Sequence, residues 1–337
     1  ASQSGRALQG WEAKLPSFEP GTKLATRRAV NQCLNATAEL IPGLVEGAAD
    51  LTGNTGMKLA NGAVQSASDP GGTQIHYGIR EHAMAAMMTG MALHGGVLPV
   101  GGTFFIFSDY MRPAVRLAAL SEAHVIYSWT HDSVGLGEDG PTHQPVEHLA
   151  AMRAMPNLRL IRPADANETA HAWRIAVDSD GPTGLALSRQ DVPVLRGTDG
   201  AYERVRRGAY VLRPVTGTPD VVLVGTGSEV HLCVEAAEML ADEEGGDGLR
   251  ASVVSMPCWE LFARQDDSYR HSVLPPGVPK LAVEAGASLG WDRWVDDSVS
   301  LDHFGASAPG TSVLEHLGFT ADNVAARARA LLERRAR

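Results

Sequence analysis

From Leu24 onward, short apolar runs alternate with stretches of helical pattern, and this alternation limits what the chain can fold into more than any other feature. Residues 44–48, 74–77, 97–100, 124–129, 158–162 and 184–188 read as strands. Helical patterns occupy 26–40, 80–94, 109–120, 146–154 and 165–178. Strands separated by helices return through crossovers rather than hairpins, and the product is a mostly parallel, doubly wound sheet. Asp165 and Glu168, which follow Pro163, have the spacing of a capping box with Asp as N-cap.

The pattern breaks between 190 and 207, a polar stretch with Pro193, Gly197, Gly200 and the basic residues Arg204, Arg206 and Arg207. It then resumes with a strand at 221–224, a Gly225-Thr-Gly-Ser turn, a helix at 229–243, strands at 251–255 and 280–283, and a helix from Ala321. The expected fold class is therefore α/β, with two doubly wound domains. The expected division is a linker or leading arm at 1–22, a first domain at 23–190, a linker at 191–207 and a second domain at 208–337. Residues 1–22 show no periodicity and suggest that something precedes them.

Composition excludes several classes of function. Acidic residues outnumber basic ones 39 to 29, and no cluster of Lys and Arg provides a footing for phosphate backbones, so nucleic acid is not an expected partner. The three cysteines, Cys33, Cys233 and Cys258, are too widely spaced for a zinc site or a disulfide framework. The most apolar stretch, 84–102, is broken by His94, three glycines and Pro99, short of the ~18 clean apolar residues a membrane span needs. No signal peptide is visible at the N-terminus. A cytoplasmic protein is the expectation.

The segment most informative about chemistry is Thr130-His-Asp-Ser-Val-Gly-Leu-Gly-Glu-Asp-Gly-Pro-Thr-His-Gln-Pro145. It follows an apolar strand, so His131 should stand at the strand's carboxyl end, where open α/β sheets place ligands. Three glycines and two prolines force an irregular loop that carries Asp132, Glu138, Asp139 and His143. Chain reversal alone does not require that set. His143 and His148 lie five residues apart, which does not put both on one helical face, so no metal site is assigned.

Glu81 opens a nearly all-apolar helix. It is either a first-turn carboxylate favoured by the helix dipole or one desolvated beside the core, and His76, Arg80 and His82 nearby strengthen the case for a site. Phe104, Phe107 and Tyr110 recur every three residues, which would set three rings along one side of a helical turn. Such rings pack a core or wall a slot for a flat heterocycle. Arg27 and Arg189 are candidate cations for a phosphorylated substrate. Gly246-Asp-Gly248 imitates the start of a thiamine diphosphate and metal signature, but no Asn follows until Asn323, so it reads as a turn.

Together with residues 131–145, the motifs Gly78-Ile-Arg-Glu-His-Ala-Met84, Gly102-Thr-Phe-Phe-Ile-Phe-Ser-Asp-Tyr110 and Ala186-Leu-Ser-Arg-Gln190 resemble the pyrimidine-binding domain of transketolase. Ser255-Met-Pro-Cys-Trp-Glu-Leu-Phe262 and Asp302-His-Phe-Gly-Ala-Ser-Ala-Pro309 are similar to its C-terminal domain. The resemblance implies thiamine diphosphate as cofactor, with Glu81 at N1′ of its aminopyrimidine and Phe104, Phe107 and Tyr110 around that ring. Asp50 lies in the matching Ala-Asp-Leu stretch. His131 and Asp139 match residues that contact sugar hydroxyls, and His143 matches one near the substrate phosphate and the cofactor. Arg27 and Arg189 match phosphate-holding arginines; Asn54 stands where the family commonly has Ser.

The reaction so implied transfers a two-carbon ketol unit from xylulose 5-phosphate to ribose 5-phosphate or erythrose 4-phosphate, in the pentose phosphate pathway. The family's N-terminal domain, which holds the diphosphate and Mg²⁺ or Ca²⁺, has no counterpart in these residues. A diphosphate-binding domain or subunit and a homodimer are therefore expected partners, and the isolated chain is expected to be inactive. Two alternatives stand beside this reading: the β-type subunit of a 2-oxoacid dehydrogenase, and a non-catalytic dimerisation module.

Overall fold

The computed structural model describes residues 5–242 and 248–336. Its first unit runs β1 (Lys23–Leu24), α1 (Thr26–Thr37), β2 (Leu44–Ala48), β3 (Gln74–His76), α2 (Glu81–His94), β4 (Leu98–Phe104) and α3 (Ser108–Leu120). It continues through β5 (Ile126–Thr130), α4 (His148–Arg153), β6 (Arg159–Ile161), α5 (Ala166–Val177) and β7 (Thr183–Leu187). Then follow β8 (Val192–Pro193), α6 (Tyr202–Val205), β9 (Tyr210–Arg213), β10 (Val221–Gly225), α7 (Val230–Ala241) and β11 (Ala251–Ser255). The chain closes with α8 (Trp259–Ala263), α9 (Asp267–Val273), β12 (Lys280–Val283), β13 (Asp297–Val299), α10 (Gly310–His316) and α11 (Ala321–Ala336).

Six strands form a wholly parallel sheet in the order β3-β2-β4-β5-β7-β6. Both faces are covered, as parallel sheets require. Met84, Met88, Met111 and Val115 of α2 and α3 pack with Tyr127 and Trp129 on one face; Val30, Leu34 and Trp173 of α1 and α5 pack with Ile126 and Leu185 on the other. A second sheet, β13-β12-β10-β11-β9, is parallel apart from β9. Along β10, Val221 and Leu223 enter one core while Val222 and Val224 enter another, the two-residue period of a strand buried on both sides.

Several elements differ from the sequence expectations. β4 runs on to Phe104, so Gly101 and Gly102 belong to the strand and the first ring of the aromatic series sits at its carboxyl end. β9 and β13, short edge strands of four and three residues, carried no pattern long enough to read. Asp165 caps α5 as expected, its Oδ1 accepting Glu168 N–H at 2.9 Å, but the Glu168 carboxylate reaches back to Ala164 N at 2.8 Å rather than to the N-cap itself. The stretch read as a linker contains β8, which pairs antiparallel with β1. The leading arm is packed too: Trp11 is buried, and its indole N–H donates to Asp178 at 3.2 Å. The end of the helix expected at 243, and Gly246 and Asp247 of the turn motif, lie outside the described residues.

Candidate functional site

β2 and β4 are neighbours whose connections leave in opposite directions, since the chain passes from β2 out to the edge strand β3 and then back across to β4. The crevice beyond the carboxyl ends of such a pair is where doubly wound sheets bind ligands. Asp50 and Leu51 enter it after β2, Ile79 and Glu81 after β3, and Phe107 and Tyr110 after β4; these residues line an open cleft of ≈ 550 Å³. Asp50 holds a left-handed backbone (φ 62°) that turns the chain into the cleft.

Glu81 is the first residue of α2 and is 8% exposed, and no hydrogen bond or ion pair engages its carboxylate among the described residues. It is a first-turn carboxylate where the helix N-terminus favours negative charge, and the residue is largely buried while its side chain lines the cleft. The three rings do not share a helical turn. Phe104 ends β4, Phe107 closes a 3₁₀ turn (Phe105–Phe107) and Tyr110 lies in the first turn of α3. They are nevertheless in series: Phe104 stacks on Phe107 at 5.8 Å and 11°, and Phe107 meets Tyr110 at 6.1 Å.

His131 follows β5 directly, is buried, and holds a left-handed backbone at φ 60°, an uncommon conformation for a residue with a Cβ. Its ring lies on Phe104, centroids 3.6 Å apart. Thr130 Oγ1 lies 2.9 Å from His131 Nδ1 and donates to Asn54 O at 3.3 Å, so it accepts Nδ1–H and leaves Nε2 as the free acceptor. Burial, followed by the nearby cations Arg27 and Arg189 and by His143, lowers the imidazole pKa from 6.5 to about 3. The ring is therefore neutral at physiological pH.

His143 closes the aromatic wall edge-on, 5.5 Å from Phe107 and 6.4 Å from Phe104. Arg27 donates to Asn54 O at 3.2 Å and Oδ1 at 3.4 Å, and its pKa is lowered first by burial and then by Arg189 and Arg28. Arg189 is exposed and has no hydrogen bond or ion pair among the described residues. An unengaged arginine beside a half-buried one whose pKa is lowered by burial and by that neighbour forms a site that gains from an anion.

Other sequence candidates lie elsewhere. Asp139 is exposed in the loop, with no contact to the ring and cation cluster among the described residues. Asp132 is buried against Arg162, its Oδ2 2.8 Å from Nε, and so is not available to a ligand. His76, Arg80 and His82 are exposed, and Arg80 donates to Tyr77 O at 3.0 Å; none of the three lines the cleft. His148 is buried, edge-on to Phe105, and lies 3.1 Å from Asp109 and 3.7 Å from Glu147. Arg162, the residue after β6, is a fully buried structural hub that the local sequence pattern does not single out.

A wholly parallel unit with a ring-walled crevice at its switch point, beside a second and mostly parallel sheet, defines an α/β protein of the two-unit type. Residues 22–194 match the family described as transketolase, pyrimidine binding domain, and 208–320 match the transketolase-like TK C-terminal domain. The chain belongs to the transketolase family. Transketolase of Geobacillus stearothermophilus is 53% identical over 335 residues, covering 97% of this chain and 50% of that protein. The structure of transketolase from Leishmania mexicana superposes with a TM-score of 0.93 at 47% identity, covering 98% of this chain and 48% of that one. A structure described as a split gene transketolase, inactive beta4 tetramer, shares the fold at a TM-score of 0.75 and 24% identity, covering 92% of this chain and 99% of its own. The chain thus spans about half the length of the curated relatives it matches.

Proposed function

We propose that this chain supplies the pyrimidine-side half of a thiamine-diphosphate-dependent ketol-transfer site, acting on ketose and aldose phosphates. The observation that carries the reading is Glu81, a largely buried carboxylate with no partner among the described residues, lining a cleft walled by aromatic rings. A flat, nitrogen-bearing aromatic ring suits the chemistry of the lining: Phe107 and Tyr110 offer it apolar contact, and a ring nitrogen would give Glu81 the hydrogen bond it lacks.

When bound, thiamine diphosphate supplies the nucleophilic carbon and electron sink that breaking a carbon–carbon bond beside a ketone requires. Glu81 holds a proton at the N1′ position of the aminopyrimidine. Phe104, Phe107 and Tyr110 exclude water from that ring. His131 stays neutral and offers Nε2 to a sugar hydroxyl, Asp139 takes another hydroxyl, and His143 stands near the substrate phosphate. Arg27 and Arg189, with Asn54, hold the phosphate itself. Xylulose 5-phosphate as donor and ribose 5-phosphate or erythrose 4-phosphate as acceptor fit this division of labour, which belongs to the pentose phosphate pathway in the cytoplasm.

The diphosphate and its Mg²⁺ or Ca²⁺ are assigned to a second domain or subunit. A second copy of this chain is also expected, because Met87 and Leu93 of α2 and Leu117 and Leu120 of α3 expose large apolar side chains on two helices packed together. Among the described residues no helix is long and apolar enough to cross a membrane. The test is calorimetry and assay of the purified 337 residues, alone and with the diphosphate-binding portion of a transketolase. Alone, the chain is expected neither to bind thiamine diphosphate with Mg²⁺ nor to turn over; the mixture should transfer ketol units. A mixture that binds the cofactor but leaves xylulose 5-phosphate untouched refutes the assignment.

A further inference from the structure

The loop 131–145, which brings His131 and His143 to the rings, has almost no secondary structure of its own beyond one 3₁₀ turn, Val134–Leu136. Its buried carbonyls must find donors elsewhere. Gln144 provides two, shared among three carbonyls: the residue is 2% exposed, and its amide nitrogen lies 3.0 Å from Gly137 O, 3.4 Å from Val134 O and 2.9 Å from Ala306 O. Two of those carbonyls belong to the loop and the third to the second sheet's unit, so one amide ties the loop to itself and to its neighbour.

The neighbouring segment is shaped to receive the loop. A Cβ at Gly305 would fall on Gln144 Oε1, and one at Gly310 would fall on Gly135 O, so both glycines are needed for close approach. Ser307 Oγ donates to Glu138 O at 2.5 Å. At the loop's start, Asp132 is held by Arg162, which is 0% exposed and also binds Glu229 and, at 2.8 Å, Thr226 O. Thr226 and Glu229 follow β10 at the second sheet's own switch point, between β10 and β12. The crevice that would hold a ligand in that sheet is filled by a guanidinium from the first.

We propose that the second sheet's unit holds the loop 131–145 in its site-forming conformation, and that Gln144 is the positioning residue through which it does so. As a statement about substrate use, this rests on the ketol-transfer reading above; as a statement about the loop, it does not. The specific requirement is for the hydrogen-bond donor, not for a side chain of that size. Leucine fills the space without donating, and a glutamic acid donates only while protonated.

Hydrogen exchange by mass spectrometry on the 337-residue chain tests the loop directly. Gln144→Leu should raise exchange roughly tenfold or more in 133–143 and 303–310 and leave β4 and β5 unchanged, the pattern of a local opening. Gln144→Glu should match it at neutral pH and recover protection as pH falls, after correction for intrinsic exchange. Should Gln144→Leu not fold, Ser307→Ala should give a smaller loosening confined to 137–140. In the reconstituted two-part enzyme, Gln144→Leu should raise the donor KM about tenfold, the size of effect one lost hydrogen bond gives, at unchanged cofactor affinity. Exchange that rises evenly across the sheet, or no change in the loop with either variant, overturns the proposal. If the wild-type mixture fails to transfer ketol units, the functional reading falls while the exchange result still decides the role of Gln144.

Discussion

The imidazole of His131 lies on the ring of Phe104 with centroids 3.6 Å apart and planes tilted by 31°. This packing desolvates a histidine that already faces two arginines, and it makes the ring an acceptor rather than an acid. Histidine-selective NMR should show no protonation of His131 through the ordinary imidazole range near 6.5, with a transition only toward about 3. The sign for stability follows. The unfolded chain takes up the proton below 6.5 and the folded one does not, so the contribution is full above 6.5 and is lost as pH falls toward about 3. A His131 resonance titrating at its ordinary value would show that the ring is hydrated and the acceptor role misplaced.

Glu81→Gln should leave the fold intact and remove most turnover in the assembled enzyme, on the order of 10²- to 10⁴-fold, because an amide cannot exchange a proton at the cofactor ring. The side chain has no partner among the described residues to lose. Unchanged thermal stability alongside collapsed kcat is the expected pair of results. Turnover near that of wild type, with cofactor bound, would show that Glu81 is only a helix-start carboxylate.

Arg189→Ala should raise the KM for phosphorylated donors roughly tenfold, as removal of a charge-assisted hydrogen bond does, and scarcely affect hydroxypyruvate. Arg189 is exposed and unengaged among the described residues, so the substitution costs little stability. Steady-state kinetics with both donors checks it. An equal penalty on the donor without phosphate would remove Arg189 from the phosphate site.

How much of this the sequence disclosed depended on whether a contact was local. The five-residue strands β2, β5, β7, β10 and β11 were legible because both faces are buried and the residues are mostly apolar. His131 could be placed because it is the residue after β5. Arg162 could not: its partners lie 30 and 67 residues away, and nothing in the local pattern distinguishes a buried hub from a surface arginine. The ion pair of Asp132 was hidden for the same reason: it is a loop carboxylate, as read, but its partner follows a different strand, β6. The three aromatic residues do lie in series, but their spacing of three suggested a helix where a strand end, a 3₁₀ turn and a helix start succeed one another.

The apolar face of α2 and α3 should bind a second copy of the chain. Met87→Glu places a charge where the side chain is 50% exposed, so the monomer should lose no more than about 0.5 kcal/mol, the usual range for a surface change. Sedimentation equilibrium should show wild type as a dimer and the variant as a folded monomer. A variant that stays dimeric would place the contact elsewhere.

Glu46 offers a test of folding that is independent of catalysis. It sits in the middle of β2, fully buried, and among the described residues neither carboxylate oxygen has a hydrogen-bond partner, nor does the hydroxyl of Tyr77. Burial pushes the Glu46 pKa from 4.5 up to about 7, and burial and then the Glu46 charge push Tyr77 to about 12. Below 4.5 the carboxyl is neutral in both the folded and unfolded chain. Between 4.5 and about 7 folding takes up a proton, and above about 7 the folded state carries an uncompensated charge. Stability should therefore fall as pH rises through that window, against the usual trend for a carboxylate. Glu46→Gln, which cannot ionise, should flatten this part of the profile and be more stable than wild type above about 7, as read from urea midpoints across the range. If the variant keeps the wild-type slope, the proton uptake belongs to another group, of which Glu168 is the next to examine, since burial followed by the charge of Asp165 also raises it to about 7.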